Sequence, residues 1–127
     1  MPHFIVEYTS NIKSEARVPE LLKKGIEVLT AEGYPLLGMR ARGLAFDEYV
    51  LADGRDCAMV HVTLKIAPGR AVEKKQRTCV AVFEMLQTHF AETLVRRYLL
   101  LSVEMVEIVS GDGPTLKMSN LGTPLTG

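Results

Sequence analysis

Alternating apolar and polar residues predict several β-strands along the chain. The pattern is clearest in the middle of the sequence, where one face of the predicted strand is wholly apolar and the other is mixed. Strands are predicted over residues 2–8, 36–46, 56–66 and 99–109, with a short hairpin arm at residues 49–52.

Two longer segments repeat their apolar residues every three or four positions, which is the spacing of an amphipathic helix. The first predicted helix covers residues 14–32; Pro19 fits its first turn, and Gly33 followed by Pro35 marks its end. The second predicted helix covers residues 71–97.

The predicted elements follow the order strand, helix, strand, and then repeat it, which makes two consecutive βαβ units of an α/β (α+β) fold. Right-handed crossovers join such units into one mixed four-stranded sheet with two helices on one face. We expect a single domain over residues 1–127, in which residues from about 110 to 127 form an irregular tail.

The second face of this sheet has no covering layer in the prediction. A large, partly apolar patch of this kind is unusual on a monomer. Packing against further copies of the chain would bury it, so the sequence predicts self-association. The residues assigned to the open face are Phe4, Val6, Cys57, Met59 and Met105.

The charge balance argues against several classes of partner. Fifteen basic residues offset fifteen acidic ones, so no overall field would hold nucleic acid or an anionic membrane surface. No apolar run is long enough to cross a bilayer and the first residues lack a secretory leader, so we expect a cytoplasmic protein. Cys57 and Cys79 lie in apolar segments and are predicted to be buried, reduced thiols.

Pro2 is the first candidate for chemistry, because removal of Met1 would leave its secondary amine at the amino terminus. Partial burial or nearby cations would favour the neutral amine and let it act as a general base. Proline also occupies the second position of many ordinary proteins, so the residue alone indicates little about function.

Three arginines are candidates for binding an anion. Arg70 stands at the start of the second helix, where free backbone amides and a guanidinium suit a carboxylate; pairing with Glu73 is the structural alternative. Arg40 and Arg42 lie two residues apart on a strand and share a face. Either a ligand or the acidic residues at positions 47–48 would offset their repulsion.

Other kinds of site find little support. The histidines His3, His61 and His89 lack the spacing of metal ligands and are expected to be structural. No phosphate-binding loop, hydrolase nucleophile motif or base-stacking stripe is present in the sequence.

Several separated segments resemble the 5-carboxymethyl-2-hydroxymuconate isomerase family of the tautomerase superfamily. The similarity extends from about residue 2 to residue 107 and does not include the tail. It is carried by Pro2-His3-Phe4-Ile5-Val6-Glu7-Tyr8, Pro35-Leu36-Leu37-Gly38-Met39-Arg40-Ala41-Arg42, Ala52-Asp53-Gly54, His61-Val62-Thr63-Leu64-Lys65-Ile66, Gly69-Arg70 and Thr88-His89-Phe90-Ala91.

This resemblance implies a tautomerase-like homotrimer and a reaction without metal or organic cofactor. Pro2 would take the proton from the 2-hydroxyl of 5-carboxymethyl-2-hydroxymuconate and return it to carbon 5, in bacterial catabolism of homoprotocatechuate. Arg40 and Arg70 would bind substrate carboxylates and stabilise the developing charge. Arg42 and Phe46 are further candidates for contact with this small dienol substrate.

Two features leave alternatives open. Residues 43–49 lack the His-Trp pair of the family and retain aromatic side chains only at Phe46 and Tyr49. A retained Met1 would make the proline nitrogen a tertiary amide without a basic lone pair. The alternatives are another tautomerase-superfamily enzyme acting on a related 2-hydroxydienoate, and a noncatalytic trimeric protein that binds carboxylates.

Overall fold

The fold is a four-stranded mixed sheet with helices packed on one face, which confirms the predicted fold class. The computed structural model describes residues 2–108 and 115–127. Within them, two βαβ units follow one another as predicted. The elements are β1 (His3–Thr9), α1 (Val18–Ala31), β2 (Arg40–Phe46), β3 (Cys57–Ile66), α2 (Val72–His89), α3 (Ala91–Arg96) and β4 (Tyr98–Glu107).

The strands are arranged in the order β2-β1-β3-β4. β1 is parallel to β2, and β3 is parallel to β4. β1 and β3 run antiparallel, with His3 opposite Lys65. One end of the sheet therefore brings together the starts of β1 and β2 and the end of β3.

The core lies between one face of the sheet and the helices α1 and α2. Alternate residues of β1 and β3 are buried there, because cross-strand partners in a pleated sheet point to the same side. Gly25 lets α1 approach the sheet closely, since a Cβ at this position would lie 2.6 Å from the ring of Phe4. The core includes Phe4, Val6, Leu21, Leu29, Val60, Val62, Leu64, Val82, Leu86 and Phe90.

The sequence prediction placed Phe4, Val6 and Met105 on the wrong face of the sheet. Phe4 and Val6 are 1% and 0% exposed, because they pair with Leu64 and Val62 on the side that the helices cover. Met105 also pairs with Leu64 and packs against the core. The other two residues of that prediction alternate with buried β3 residues and lie on the open side.

Both predicted helices have different limits from those expected. The first begins at Val18 rather than at residue 14, because Arg17 is held in a left-handed conformation with φ 44°. The predicted helix over residues 71–97 is divided at Phe90, whose φ and ψ are −101° and 19°. The ring of Phe90 is buried in the core at this break.

The predicted hairpin arm at residues 49–52 is a loop, not a strand. The turn after it closes locally, because Asp53 accepts hydrogen bonds from the backbone and the side chain of Arg55. Residues 115–127 contain no helix or strand. The predicted end of the last strand, residue 109, lies outside the described residues.

The two cysteines differ in exposure. Both are free, and Cys57 is buried as predicted. Cys79 is only half-buried, because it lines a groove between α2 and β4. Burial raises the pKa of the Cys79 thiol.

His89 ties the end of α2 to the segment that precedes α1. The residue is 4% exposed, and its Nε2 donates a hydrogen bond to the Ala16 carbonyl at 2.7 Å. Its Nδ1 lies 3.3 Å from Lys24 Nζ, and its own carbonyl accepts a hydrogen bond from Arg17 at 2.7 Å. The neutral imidazole fits this arrangement, since Nδ1 must accept from an ammonium group.

We expect the free energy of unfolding to decrease at acidic pH because of His89. Burial lowers its pKa below the ordinary value of 6.5, and the charges of Arg17 and Lys24 act in the same direction, against the Ala16 hydrogen bond and Glu20. As the pH falls through 6.5, the unfolded chain takes up a proton before the folded chain does. Stability should therefore fall below this pH, by at most about 1.4 kcal/mol per pH unit.

Urea unfolding at about pH 7.5 and about pH 5.5 measures this effect. His89→Gln keeps a donor and an acceptor but does not titrate, so this variant should show a flatter pH dependence. His3→Gln is the comparison variant, because the pKa of His3 is also lowered and this variant measures how much of the pH dependence His3 contributes. An unchanged pH dependence in His89→Gln would show that the effect has another source.

Candidate functional site

Pro2 is buried at the end of the sheet where β1 and β2 begin. Its carbonyl accepts a hydrogen bond from the backbone amide of Arg40 at 3.1 Å, which extends the pairing of the two strands. Because His3 pairs with Lys65, Pro2 also lies beside the end of β3, from which the chain leads directly to Arg70. Residues far apart in sequence thus meet at one end of the sheet.

Arg40 and Arg42 lie on the open side of the sheet, next to His3. Arg40 is the β-partner of His3, and Arg42 Nη1 lies 3.0 Å from His3 Nδ1. In the described part of the chain, neither arginine forms an ion pair with the acidic residues at 47–48. The acidic residues at 47–48 therefore do not offset the repulsion between Arg40 and Arg42.

The start of β1 lies in a positively charged environment. Burial lowers the pKa of His3, and the charges of Arg42, Arg40 and Lys65 lower it further. The same cations disfavour a positive charge on an amine at this end of the strand, and they attract anions. A neutral base and an anionic ligand are both favoured here.

Arg70 is held against an aromatic ring. Its guanidinium carbon lies 4.5 Å from the centroid of Tyr34, and its Nη1 donates to the Ala67 carbonyl at 3.1 Å. Lys74 Nζ also lies near this ring, at 4.9 Å, and the Tyr34 hydroxyl is 3.0 Å from Thr78 Oγ1. Among the residues described, Arg70 has no ion pair with Glu73 or any other carboxylate.

Phe46 does not lie with the other predicted site residues. It is the last residue of β2 and pairs with Thr9, whereas Pro2 and Arg40 lie at the opposite end of the strands. The six residue steps from Arg40 to Phe46 (46 − 40 = 6) span about 20 Å of extended chain. Within one subunit, Phe46 cannot contact a small ligand held at Pro2.

Two parts of this region were missed by the sequence reasoning. One is Tyr34, which is 3% exposed and whose ring lies against the Arg70 guanidinium. The only sequence signal for this contact was an aromatic residue between Gly33 and Pro35. The other is the tail, which lines a cleft of about 500 Å³ beside Arg40. Tail residues have no periodicity, so no sequence pattern indicated this contact. The cleft is lined by Pro35, Leu37, Gly38, Met39, Arg40, Lys117, Met118, Ser119 and Leu121.

Hollows of similar or larger size lie elsewhere. One of about 500 Å³ is lined by Asp56 and residues 94–98, at the sheet end opposite Pro2. Another of about 640 Å³ lies between α2 and β4 and is mostly apolar. We place the candidate site at Pro2 because a possible amine base lies there beside Arg40, Arg42 and Lys65, at the sheet end from which the chain leads to Arg70. Among the helices of the described residues, none has both the length and the apolar character needed to span a bilayer.

Sequence comparison gives two close similarities. The model of a family described as 5-carboxymethyl-2-hydroxymuconate isomerase matches residues 2–124. An Escherichia coli protein described as 5-carboxymethyl-2-hydroxymuconate Delta-isomerase is 46% identical over 110 residues, covering 85% of this chain and 87% of the relative.

Solved structures give the same similarity, and they add proteins of much lower sequence identity that share the fold. A 5-carboxymethyl-2-hydroxymuconate isomerase from Deinococcus radiodurans R1 matches with a TM-score of 0.87 and 41% identity, over 94% of this chain and 90% of that one. A protein described as a fused 4-OT wild-type symmetric trimer matches with a TM-score of 0.60 and 14% identity, over 84% and 86% of the two chains. At that identity, the second match shows the fold alone.

Proposed function

Because the chain belongs to the 5-carboxymethyl-2-hydroxymuconate isomerase family of the tautomerase superfamily, we propose that it moves a proton from the 2-hydroxyl to carbon 5 of 5-carboxymethyl-2-hydroxymuconate without a cofactor. The observation that carries this proposal is the buried Pro2 joined to Arg40 by a 3.1 Å backbone hydrogen bond. With Pro2 and Arg40 as neighbours, a base for the proton would lie next to a cation for the anionic substrate, which supports the proposal. We assign the reaction to homoprotocatechuate catabolism in the cytoplasm.

Pro2 is the proposed base and acid, after removal of Met1. Its neutral nitrogen takes the proton of the 2-hydroxyl, and the O–H electron pair forms the carbonyl at carbon 2. The π electrons between carbons 2 and 3 move to carbons 3 and 4, and those between carbons 4 and 5 take the proton back from the proline at carbon 5. Pro2 takes one proton and returns one, so enzyme and substrate each end with the number of protons they began with. The burial of Pro2 and the nearby cations favour the neutral amine that the first step needs.

Arg40 and Arg70 are the proposed carboxylate ligands, and they also stabilise negative charge as the enol oxygen loses its proton. Arg70 is already held by Tyr34 and by the Ala67 carbonyl, so little reorganisation is needed on binding. Arg42 contributes positive charge through its position at His3. A role for Phe46 requires that a neighbouring copy bring it to the site.

We also propose that the chain forms a homotrimer through the open face of the sheet. Leu44, Leu100 and Val106 are 57%, 52% and 39% exposed, and all three lie on this face. Three sheets facing a central axis would bury these side chains. Sedimentation equilibrium should give three times the monomer mass of 14.1 kDa.

The decisive experiment is isomerisation of 5-carboxymethyl-2-hydroxymuconate, followed by ultraviolet absorbance, with protein whose Pro2 terminus is verified by intact mass. We expect kcat/KM to be higher for this substrate than for 2-hydroxymuconate, which lacks the carboxymethyl arm. A preference for simpler 2-hydroxydienoates would instead identify another enzyme of the superfamily. A processed and folded protein that binds carboxylates without turnover would identify a noncatalytic binding protein.

A further inference from the structure

The tail of the chain forms one wall of the cleft beside Arg40. Residues 117–119 and Leu121 face residues 37–40 and Pro35 across a volume of about 500 Å³. Sites for small molecules have volumes in this range. Because the Arg40 amide is hydrogen-bonded to Pro2, the cleft adjoins the buried start of β1.

The cleft combines positive charge with apolar surface. Arg40 and Lys117 supply its charged groups, and no acidic residue is among the described residues that line it. The ligand chemistry that suits such a cleft is a small hydrocarbon chain bearing carboxylates. The remaining side chains are mostly apolar and include Pro35, Leu37, Met39, Met118 and Leu121.

We propose that Lys117 binds the carboxymethyl carboxylate of the substrate, so that the tail selects for this third negative charge. The inference rests on the proposed function and deepens it. The substrate carries two carboxylates on its muconate chain and a third on its carboxymethyl arm. Arg40 and Arg70 are assigned to the muconate carboxylates, and Arg42 is hydrogen-bonded to His3 on the open sheet face. Lys117 is the further cation in the cleft.

Lys117→Met tests the proposal, because methionine keeps an unbranched side chain and removes the charge. We expect KM for 5-carboxymethyl-2-hydroxymuconate to rise roughly tenfold, as for loss of one charged hydrogen bond in an open cleft. The value of kcat should stay within about twofold, since the interaction is made equally in ground and transition states. KM for 2-hydroxymuconate should not change. Lys117→Arg should restore tight binding.

Lys13→Met is the matched control, because Lys13 is exposed at the other end of β1 and should leave both KM values unchanged. An unchanged KM for the tricarboxylate in Lys117→Met would overturn the role of Lys117. Equal increases for both substrates would also overturn it, because they would indicate a general change in the tail. Calorimetry of tricarboxylate binding to the wild-type and Lys117→Met proteins gives the same test without turnover. An inactive wild-type protein would therefore count against the proposed reaction only.

Discussion

A chain that keeps a residue in front of Pro2 is expected to lose about 10²- to 10⁴-fold in kcat, which is the contribution of a positioned general base. Inserting a lysine between Met1 and Pro2 makes the second residue large, so that the initiator methionine is retained. The proline nitrogen is then part of a tertiary amide and has no basic lone pair. The Pro2 carbonyl is unchanged, so its 3.1 Å hydrogen bond with the Arg40 amide should persist.

The inserted chain should therefore unfold at nearly the same urea concentration as the wild type while losing turnover. Pro2→Ala is the companion variant, because processing leaves a free primary amine at the same position. Its activity should fall between those of the other two proteins, since the amine remains but the rigid ring is lost. Full turnover by the inserted chain would remove Pro2 from the mechanism.

Arg70→Ala is expected to lower kcat/KM for 5-carboxymethyl-2-hydroxymuconate by about 10²- to 10³-fold, which is the effect of removing one donor that stabilises developing negative charge. The guanidinium carbon lies 4.5 Å from the centroid of the Tyr34 ring, and the group is not part of an ion pair among the described residues. Its removal should thus affect the substrate more than the fold. Arg70→Lys should recover only part of the loss, because an ammonium group lacks the planar fork that binds a carboxylate at two points.

Arg77→Ala provides a control on helix α2, which follows Arg70 directly. Arg77 is paired with Glu32 at 3.0 Å, and its side chain is 62% exposed, so its loss should leave kcat/KM nearly unchanged. Sedimentation of both variants would show whether the assembly is intact. Dissociation or unfolding of Arg70→Ala, together with normal activity of the folded fraction, would assign Arg70 a structural role.

Much of the local structure could be predicted from the order of residues alone. Strict alternation over β3 and helical spacing over α1 and α2 gave two βαβ units, and the separated similar segments gave a family that the comparisons confirm. These signals are local, because each depends on side chains a few residues apart in a single element. Pro2 and Arg70 could be selected in the same way from their positions at the starts of predicted elements, and Arg40 from the face that it shares with Arg42 on a predicted strand.

Other features depended on which elements meet in space. Phe4 and Val6 face the helices because of the register between β1 and β3, which one strand's pattern does not contain. Phe46 shares a strand with Arg40, yet lies about 20 Å from it in an extended chain. The Tyr34 ring contacts Arg70, which is 36 positions later in the sequence (70 − 34 = 36). Lys117 lines a cleft with Arg40, although the segment around Lys117 has no periodicity. The sequence therefore determined the elements and the candidate groups, whereas the tertiary structure decided their neighbours, because packing and register set distances that are not local to the chain.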